Sequence, residues 1–276
     1  MKQVSPKQVQ DLRKMSGAGM MDCKNALSES SGNLDDAFVW LREKGIAKAE
    51  KKSTRTANEG LIGIKSADDG ACVVEINSET DFVSRNSEFQ ELVTSILDIA
   101  VQKKESINEV GVESKELINN AIAKIGENIV FKRSDYIAGK VYTYTHNKII
   151  DGLGKIGVLI KFSEDLEDLN EIGKNLCMHI AASSPKSLSE KDLDSSLIES
   201  EKNIIKEQLK DSGKPDNIVD KMIEGKIKKY FEEVVLLNQK FVMDPSITIE
   251  EYLLQISKQK NSSIQIEKFI RYQLGE

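Results

Sequence analysis

Between residues 5 and 44 apolar positions recur three and four apart, which predicts short amphipathic helices and no strand. Ser5-Pro6 has the form of an N-cap followed by proline at the first helical position, and Val9, Leu12 and Met15 carry the first apolar stripe. Gly17-Ala18-Gly19 interrupts that helix, a second is expected over 20–28, and Ser31-Gly32-Asn33 turns the chain into a third over 34–44, closed by Gly45. With Leu12, Leu27, Leu34, Phe38 and Leu41 as a shared core, these elements make a small bundle. The Lys-rich stretch 48–58 lacks periodicity and reads as a solvated linker.

Beyond it the pattern becomes β-like. Residues 60–65 and 71–77 are β-prone and flank Ser66-Ala67-Asp68-Asp69-Gly70, a hairpin with an Asp-Gly turn signal. A helix follows with Phe89, Leu92, Val93, Ile96, Leu97 and Ala100 on one face and Ser87 as its N-cap. Residues 117–125 repeat the helical pattern more weakly, and 129–137 read as a strand. The second half repeats this order: β-prone runs 141–146 and 156–162, separated by 147–155, then a helix faced by Leu166, Leu169, Ile172, Leu176 and Ile180 that stops before Pro185. Residues 195–237 change to Lys and Glu with apolar residues three and four apart, an antiparallel helical hairpin with Ile204, Leu209, Ile218, Met222, Ile227 and Phe231 along its seam and Ser212-Gly213-Lys214-Pro215 as its turn. Phe241-Val242-Met243 and 264–274 read as strands, with a helix over 249–256 between them. The expected class is α+β: a three-helix bundle over 1–53, a core of two similar subdomains with small antiparallel sheets over 54–140 and over 141–184 with 238–276, and the hairpin inserted over 185–237.

Composition narrows the function. The chain has 276 residues, of which 39 % are hydrophobic, enough for real cores and against disorder. Its 39 Lys and Arg are outnumbered by 45 Asp and Glu, for a formal charge of −6, which argues against a general nucleic-acid binder needing a concentrated basic surface. The sequence has no apolar run of membrane-spanning length, and Met1-Lys2-Gln3-Val4-Ser5 lacks the apolar core of a secretory signal, so a soluble, cytoplasmic protein with no membrane partner is expected. Cys23, Cys72 and Cys177 are odd in number and far apart, which suits buried thiols in a reducing compartment. His146 and His179 are the two histidines, and neither stands at a metal-ligand spacing; His179 reads as a packing residue on an apolar-faced helix. With no phosphate-binding glycine loop either, neither a bound cofactor, a metal nor a catalytic centre is expected. One segment stands apart: Glu79-Thr80-Asp81-Phe82-Val83 places an aromatic in a connection between strand and helix. Loop apolar residues commonly tuck inward, so the residues alone favour a buried Phe82, with a projecting one as the alternative.

Ser16-Gly17-Ala18-Gly19-Met20-Met21-Asp22-Cys23-Lys24 closely resembles the N-terminal signature of the elongation factor Ts family, and Thr80-Asp81-Phe82-Val83 its second signature. Lys124-Ile125-Gly126-Glu127-Asn128, Met178-His179-Ile180-Ala181-Ala182-Ser183, Ser212-Gly213-Lys214-Pro215 and Phe241-Val242-Met243 add blocks in the same order, over nearly the whole chain. The resemblance implies a bundle similar to ubiquitin-associated domains and a guanine nucleotide exchange factor for elongation factor Tu, binding Tu both GDP-bound and nucleotide-free, with no cofactor of its own. It implies that Thr80, Asp81, Phe82 and Val83 enter Tu's nucleotide domain near its magnesium site. Ile125, Gly126 and His146 would join the contact that perturbs that site and the phosphate loop, and Lys24 would be a contact from the bundle. Residues 147–154 form a longer stretch than in compact relatives, which bears on where His146 sits, and some relatives continue past Gly275-Glu276 into a further helical module. The helical hairpin corresponds to a dimerisation or coiled-coil element in relatives, so a homodimer and a solvated appendage both stay open. The competing classes are an interaction module using the bundle alone and an RNA-binding translation protein; the first leaves Asp81-Phe82 unexplained, and the second sits badly with the acidic balance.

Overall fold

The computed structural model describes residues 4–104, 107–164, 168–210 and 215–276; Leu166 and the Ser212-Gly213-Lys214 part of the predicted turn lie outside them. The chain divides into two compact units, one of Met1–Ile137, Asn147–Ile156 and Tyr272–Glu276, the other of Ala138–His146 and Gly157–Arg271. No helix among the described residues is long and apolar enough to cross a membrane.

The first unit opens with α1 (Pro6–Ser16), α2 (Met20–Glu29) and α3 (Leu34–Lys52). A capping box starts α1: the Gln8 amide N–H donates to Ser5 Oγ at 3.2 Å, and the Ser5 N–H to Gln8 Oε1 at 3.0 Å. Gly17, at φ +66°, ends it in the left-handed conformation that lacks a Cβ penalty. Leu12, Cys23, Ala26, Leu27 and Ala37 are buried together, with Leu34, Phe38 and Leu41 packed on them. The third helix does not stop at Gly45 as its sequence predicts but continues to Lys52 through the first residues of the expected linker. Gly45 is buried, and a Cβ there would lie 3.5 Å from that of Ala123; one turn later Ala49 is buried in the core of the following sheet and helices. Such packing outweighs the roughly 1 kcal/mol penalty of a helical glycine.

That core is built from β1 (Glu59–Ala67), β2 (Gly70–Ser78), α4 (Ser87–Lys103), α5 (Ile107–Ile125) and β3 (Ile129–Ala138). β1 and β2 pair antiparallel with Ala67 opposite Gly70, so Asp68-Asp69 make the turn and Gly70 is already strand. A side chain on Gly70 would strike Tyr136 and the Ile137 carbonyl, which is what restricts the position to glycine. The predicted apolar stripe of α4 is buried throughout, but its N-cap is Asn86, whose side chain accepts from the Glu88 N–H at 2.8 Å; Ser87 is the first helical residue. Asn and Ser cap comparably well, so adjacent candidates are separated only by backbone geometry. After β4 (Val141–His146), which belongs to the second unit, the chain returns for β5 (Leu153–Gly154), giving a sheet ordered β3-β2-β1-β5. The stretch 147–155 is therefore more than a connection: Leu153 and Gly154 pair with Gly63 and Ile62.

In the second unit β4, β6 (Ile156–Phe162) and β9 (Ile266–Gln273) form a sheet ordered β4-β6-β9, with α6 (Asn170–Ser183) following β6. Both sheets thus place the second strand of a hairpin beside a third strand that arrives after helices, the α+β likeness the sequence predicts. Inserted between are α7 (Ser195–Leu209) and α8 (Asp216–Val234), then β7 (Lys240–Phe241), β8 (Asp244–Thr248) and α9 (Ile249–Lys260). The hairpin seam is Ile205, Leu209, Ile223 and Ile227, with Val219, Met222 and Phe231 packed on it; Ile204 and Ile218, predicted there, are exposed. Val242 and Met243 also depart from the predicted strand, forming the half-exposed turn between β7 and β8.

Candidate functional site

The segment after β2 is ordered by its own backbone. Ser78 Oγ donates to the Thr80 carbonyl at 3.1 Å; the Asp81 carbonyl accepts from the Ser84 N–H at 3.2 Å and its hydroxyl at 2.6 Å; the Phe82 carbonyl accepts from Arg85 N–H at 3.1 Å. Val83–Arg85 close a single 3₁₀ turn, and Gln90 on α4 donates to the Ser84 carbonyl at 3.0 Å. In a turn with three residues per revolution, neighbouring side chains diverge by about 120°. Val83 takes the inward direction and is 6 % exposed, which leaves Phe82 pointing out at 80 % exposure beside the exposed Asp81. The inward Phe82 that the residues alone favour is overturned, because its neighbour fills the core.

The loop is also held from outside by the segment following α5. Gly126, at φ +88°, returns its N–H to the Ile122 carbonyl at 3.0 Å and ends that helix. Next to it, the Glu127 carboxylate accepts from the Thr80 N–H at 3.0 Å and the Thr80 hydroxyl at 2.6 Å. In the opposite sense the Glu79 carboxylate accepts from the Asn128 N–H at 2.6 Å and from Arg55 Nη1 at 3.4 Å. Asn128 is buried and its side-chain amide donates to the Arg55 carbonyl at 2.7 Å, while Lys52 Nζ donates to the Gly126 carbonyl at 2.5 Å.

Of the predicted site residues, Thr80 is joined directly to Glu127, next to Gly126, by two hydrogen bonds, and Asp81, Phe82 and Val83 follow it in the same loop. Ile125 packs partly buried on the core, and Gly126 is exposed. Lys24 stands exposed on α2. His146 belongs to the second unit, exposed at the end of β4, with Nδ1 3.1 Å from the Tyr144 hydroxyl. Glu79, Glu127, Asn128 and Arg55 carried no assigned role in the sequence, since four residues from three separate stretches converge only after folding; the one local hint is that Glu127 follows the helix-ending Gly126.

His179 and the three cysteines lie away from the surface. His179 is fully buried: Nδ1 accepts from the Val242 N–H at 3.3 Å, so Nε2 carries the proton towards Gln239 Oε1 at 3.0 Å, and burial lowers its pKa. This is the packing histidine read from its helix. All three cysteines are buried, and burial pushes the Cys72 thiol up to about 11 and the Cys177 thiol up as well, away from reactive thiolate. Among the described residues no three His, Cys, Asp or Glu side chains converge as a metal site. The loop displays an aromatic ring and a carboxylate on a backbone held through the Thr80 N–H and the Thr80, Asp81, Phe82 and Val83 carbonyls.

The family model described as elongation factor TS matches residues 79–276, starting at the loop itself. The chain is 49 % identical to elongation factor Ts of Bartonella henselae, over 99 % of this chain and 93 % of that protein. It is 46 % identical to elongation factor Ts of Rhizobium etli, over 100 % of this chain and 94 % of that one. With the signature blocks, the α+β architecture and full-length similarity in agreement, the chain belongs to the elongation factor Ts family.

Proposed function

We propose that this chain is a guanine nucleotide exchange factor for elongation factor Tu in translation elongation, and that its Phe82 loop loosens Tu's hold on magnesium and GDP. The observation carrying this reading is Phe82 itself, a large apolar ring left 80 % exposed on a loop whose carbonyls are tied down. A folded monomer gains nothing from such exposure, whereas burial against a partner would contribute about 1.5–3 kcal/mol, some ten- to a hundred-fold in affinity. Tu's GDP is gripped through a magnesium ion and backbone donors to phosphate, whose geometry tolerates little displacement. A rigid ring inserted beside them displaces them, and Asp81 brings a negative charge to the same place. Lys24, Ile125, Gly126 and His146 are assigned as further contacts, with residues 1–53 as a docking bundle, the two subdomains as the working core and 185–237 as an accessory insertion. Coupling is reciprocal, so nucleotide weakens the factor's binding to Tu by the factor that it weakens nucleotide binding, and GTP entry releases it.

The test is release of labelled GDP from Tu by the parent and by Phe82→Ala, with thermal melting of both. The variant should melt with the parent and slow exchange about ten- to a hundred-fold, the value of the lost ring burial. Early melting would make Phe82 structural, and a parent chain that leaves GDP release unchanged would overturn the reading altogether.

A further inference from the structure

The contacts around the loop have a symmetry that the exchange reading does not by itself require. Glu79-Thr80 and Glu127-Asn128 grip each other: each glutamate accepts the backbone N–H of the residue that follows the other glutamate, at 2.6 Å and 3.0 Å. Thr80 adds its hydroxyl to Glu127, and Arg55 brings a cation to Glu79 and receives the Asn128 amide on its carbonyl. Charge-assisted bonds of this kind, several in parallel, fix a backbone far better than one neutral bond. The next two residues are Asp81 and Phe82, whose direction follows from the orientation of the Thr80 peptide.

We infer that Glu127 is a positioning residue for nucleotide exchange, holding Thr80 so that Phe82 is presented to the partner already in its working direction. The inference rests on the exchange reading above. An exposed ring on a loosely held loop would lose part of its binding advantage to ordering the loop on contact, and a pre-ordered loop avoids that loss. Glu127 touches neither nucleotide nor metal in this assignment and acts only through Thr80. It sits in the same short segment as Ile125 and Gly126, so a contact made there and the presentation of Phe82 are mechanically one structure.

The experiment is a double-mutant cycle on GDP release from Tu at one fixed concentration of full-length chain below saturation, using Glu127→Ala, Phe82→Ala and the two together, each assayed below its melting temperature. Glu127→Ala should slow release about ten-fold, the scale of a lost charged hydrogen bond. Glu127→Gln, which keeps one acceptor oxygen, should fall between it and the parent. The double variant should be slower than Phe82→Ala by much less than the roughly ten-fold of Glu127→Ala alone, because only the Asp81 charge is left to misdirect. Losses that multiply in the double variant would overturn the inference, as they would mean that Glu127 acts independently of the ring. Parental exchange by Glu127→Ala alongside slow Phe82→Ala would overturn the positioning role and leave the exchange reading standing; parental exchange by Phe82→Ala would sink the exchange reading itself. If Glu127→Ala proves too unstable to assay, Thr80→Val removes only the hydroxyl donor and must show the same lack of additivity with Phe82→Ala for the inference to hold.

Discussion

His179 sits where two polar contacts specify one protonation state. Its Nδ1 accepts the Val242 N–H, and Gln239, which takes the Nε2 proton, is itself anchored by donating to the carbonyls of Ser183 and Glu233 at 3.2 Å and 2.7 Å. Protonating the ring would aim a second N–H at the Val242 donor, in addition to the cost of burying a charge. Burial accordingly lowers the pKa, offset only in part by Gln239. The sign follows: the unfolded chain takes up a proton near the ordinary 6.5 and the folded one resists, so this contribution is complete above 6.5 and is lost as pH falls through it towards the lowered folded value. The expected result is an unfolding free energy that falls as pH drops below about 6.5, with a slope of at most ~1.4 kcal/mol per pH unit from this group, and a His179→Gln variant whose decline there is shallower. Equal slopes would show that the ring is not held neutral. The same residue scale separates what could be read in advance: a histidine on an apolar helix face announces packing, while Phe82 gave no local sign of pointing outwards, because that depended on Val83 taking the core.

The helical hairpin shows how far an element can be read from its periodicity. Its two helices are visible in the spacing of Ile, Leu and Met, but Ile204-Ile205 and Met222-Ile223 are adjacent apolar pairs, and a stripe can be drawn through either member. Packing of α7 on α8 selects Ile205 and Ile223, leaving Ile204 exposed. Ile205→Ala should therefore destabilise the hairpin by about 2–5 kcal/mol, as for other buried large-to-small changes, while Ile204→Ala should stay within about 0.5 kcal/mol. Hydrogen exchange of the α7 and α8 amides reads both, and equal protection losses would contradict the seam. The six-residue stripe of α4 had no such ambiguity and is buried as written. For α3 the breaker signal of Gly45 was real in sequence terms, yet close approach to Ala123 and burial of Ala49 carried the helix through it.

On the scale of the molecule, residues remote in sequence complete the first unit. Glu75 is fully buried on β2 and accepts from Arg133 Nε at 2.7 Å, from the Gly275 N–H at 3.2 Å and from Asn77 at 3.2 Å. The Arg133 guanidinium lies 4.0 Å over the Tyr272 ring, whose hydroxyl donates to Asp135 at 2.7 Å; burial first, and that bond second, push the phenol's pKa upwards. Removing one partner of such a pair leaves an uncompensated buried charge, so Arg133→Met should cost about 3–5 kcal/mol in urea unfolding, and adding Glu75→Gln should restore a large part of it. A single variant as stable as the parent would show that Glu75 is not dependent on this arginine.

What the sequence determined alone were the features with a local cause: helices from 3.6-residue periodicity and capping, the β1-β2 hairpin from its Asp-rich turn, the α+β order of elements, and the signature blocks that disclose the family. Only the tertiary structure decided which end α3 would reach, which isoleucines would meet in the hairpin, that Leu153-Gly154 would join the first sheet, and that Glu79 and Glu127 would bind each other's neighbours. The physical reason is common to these cases. Helix propensity, turn chemistry and caps act within a few residues, whereas burial and hydrogen-bond satisfaction are settled between segments tens to hundreds of positions apart, and at those places long-range free energy exceeds any local preference.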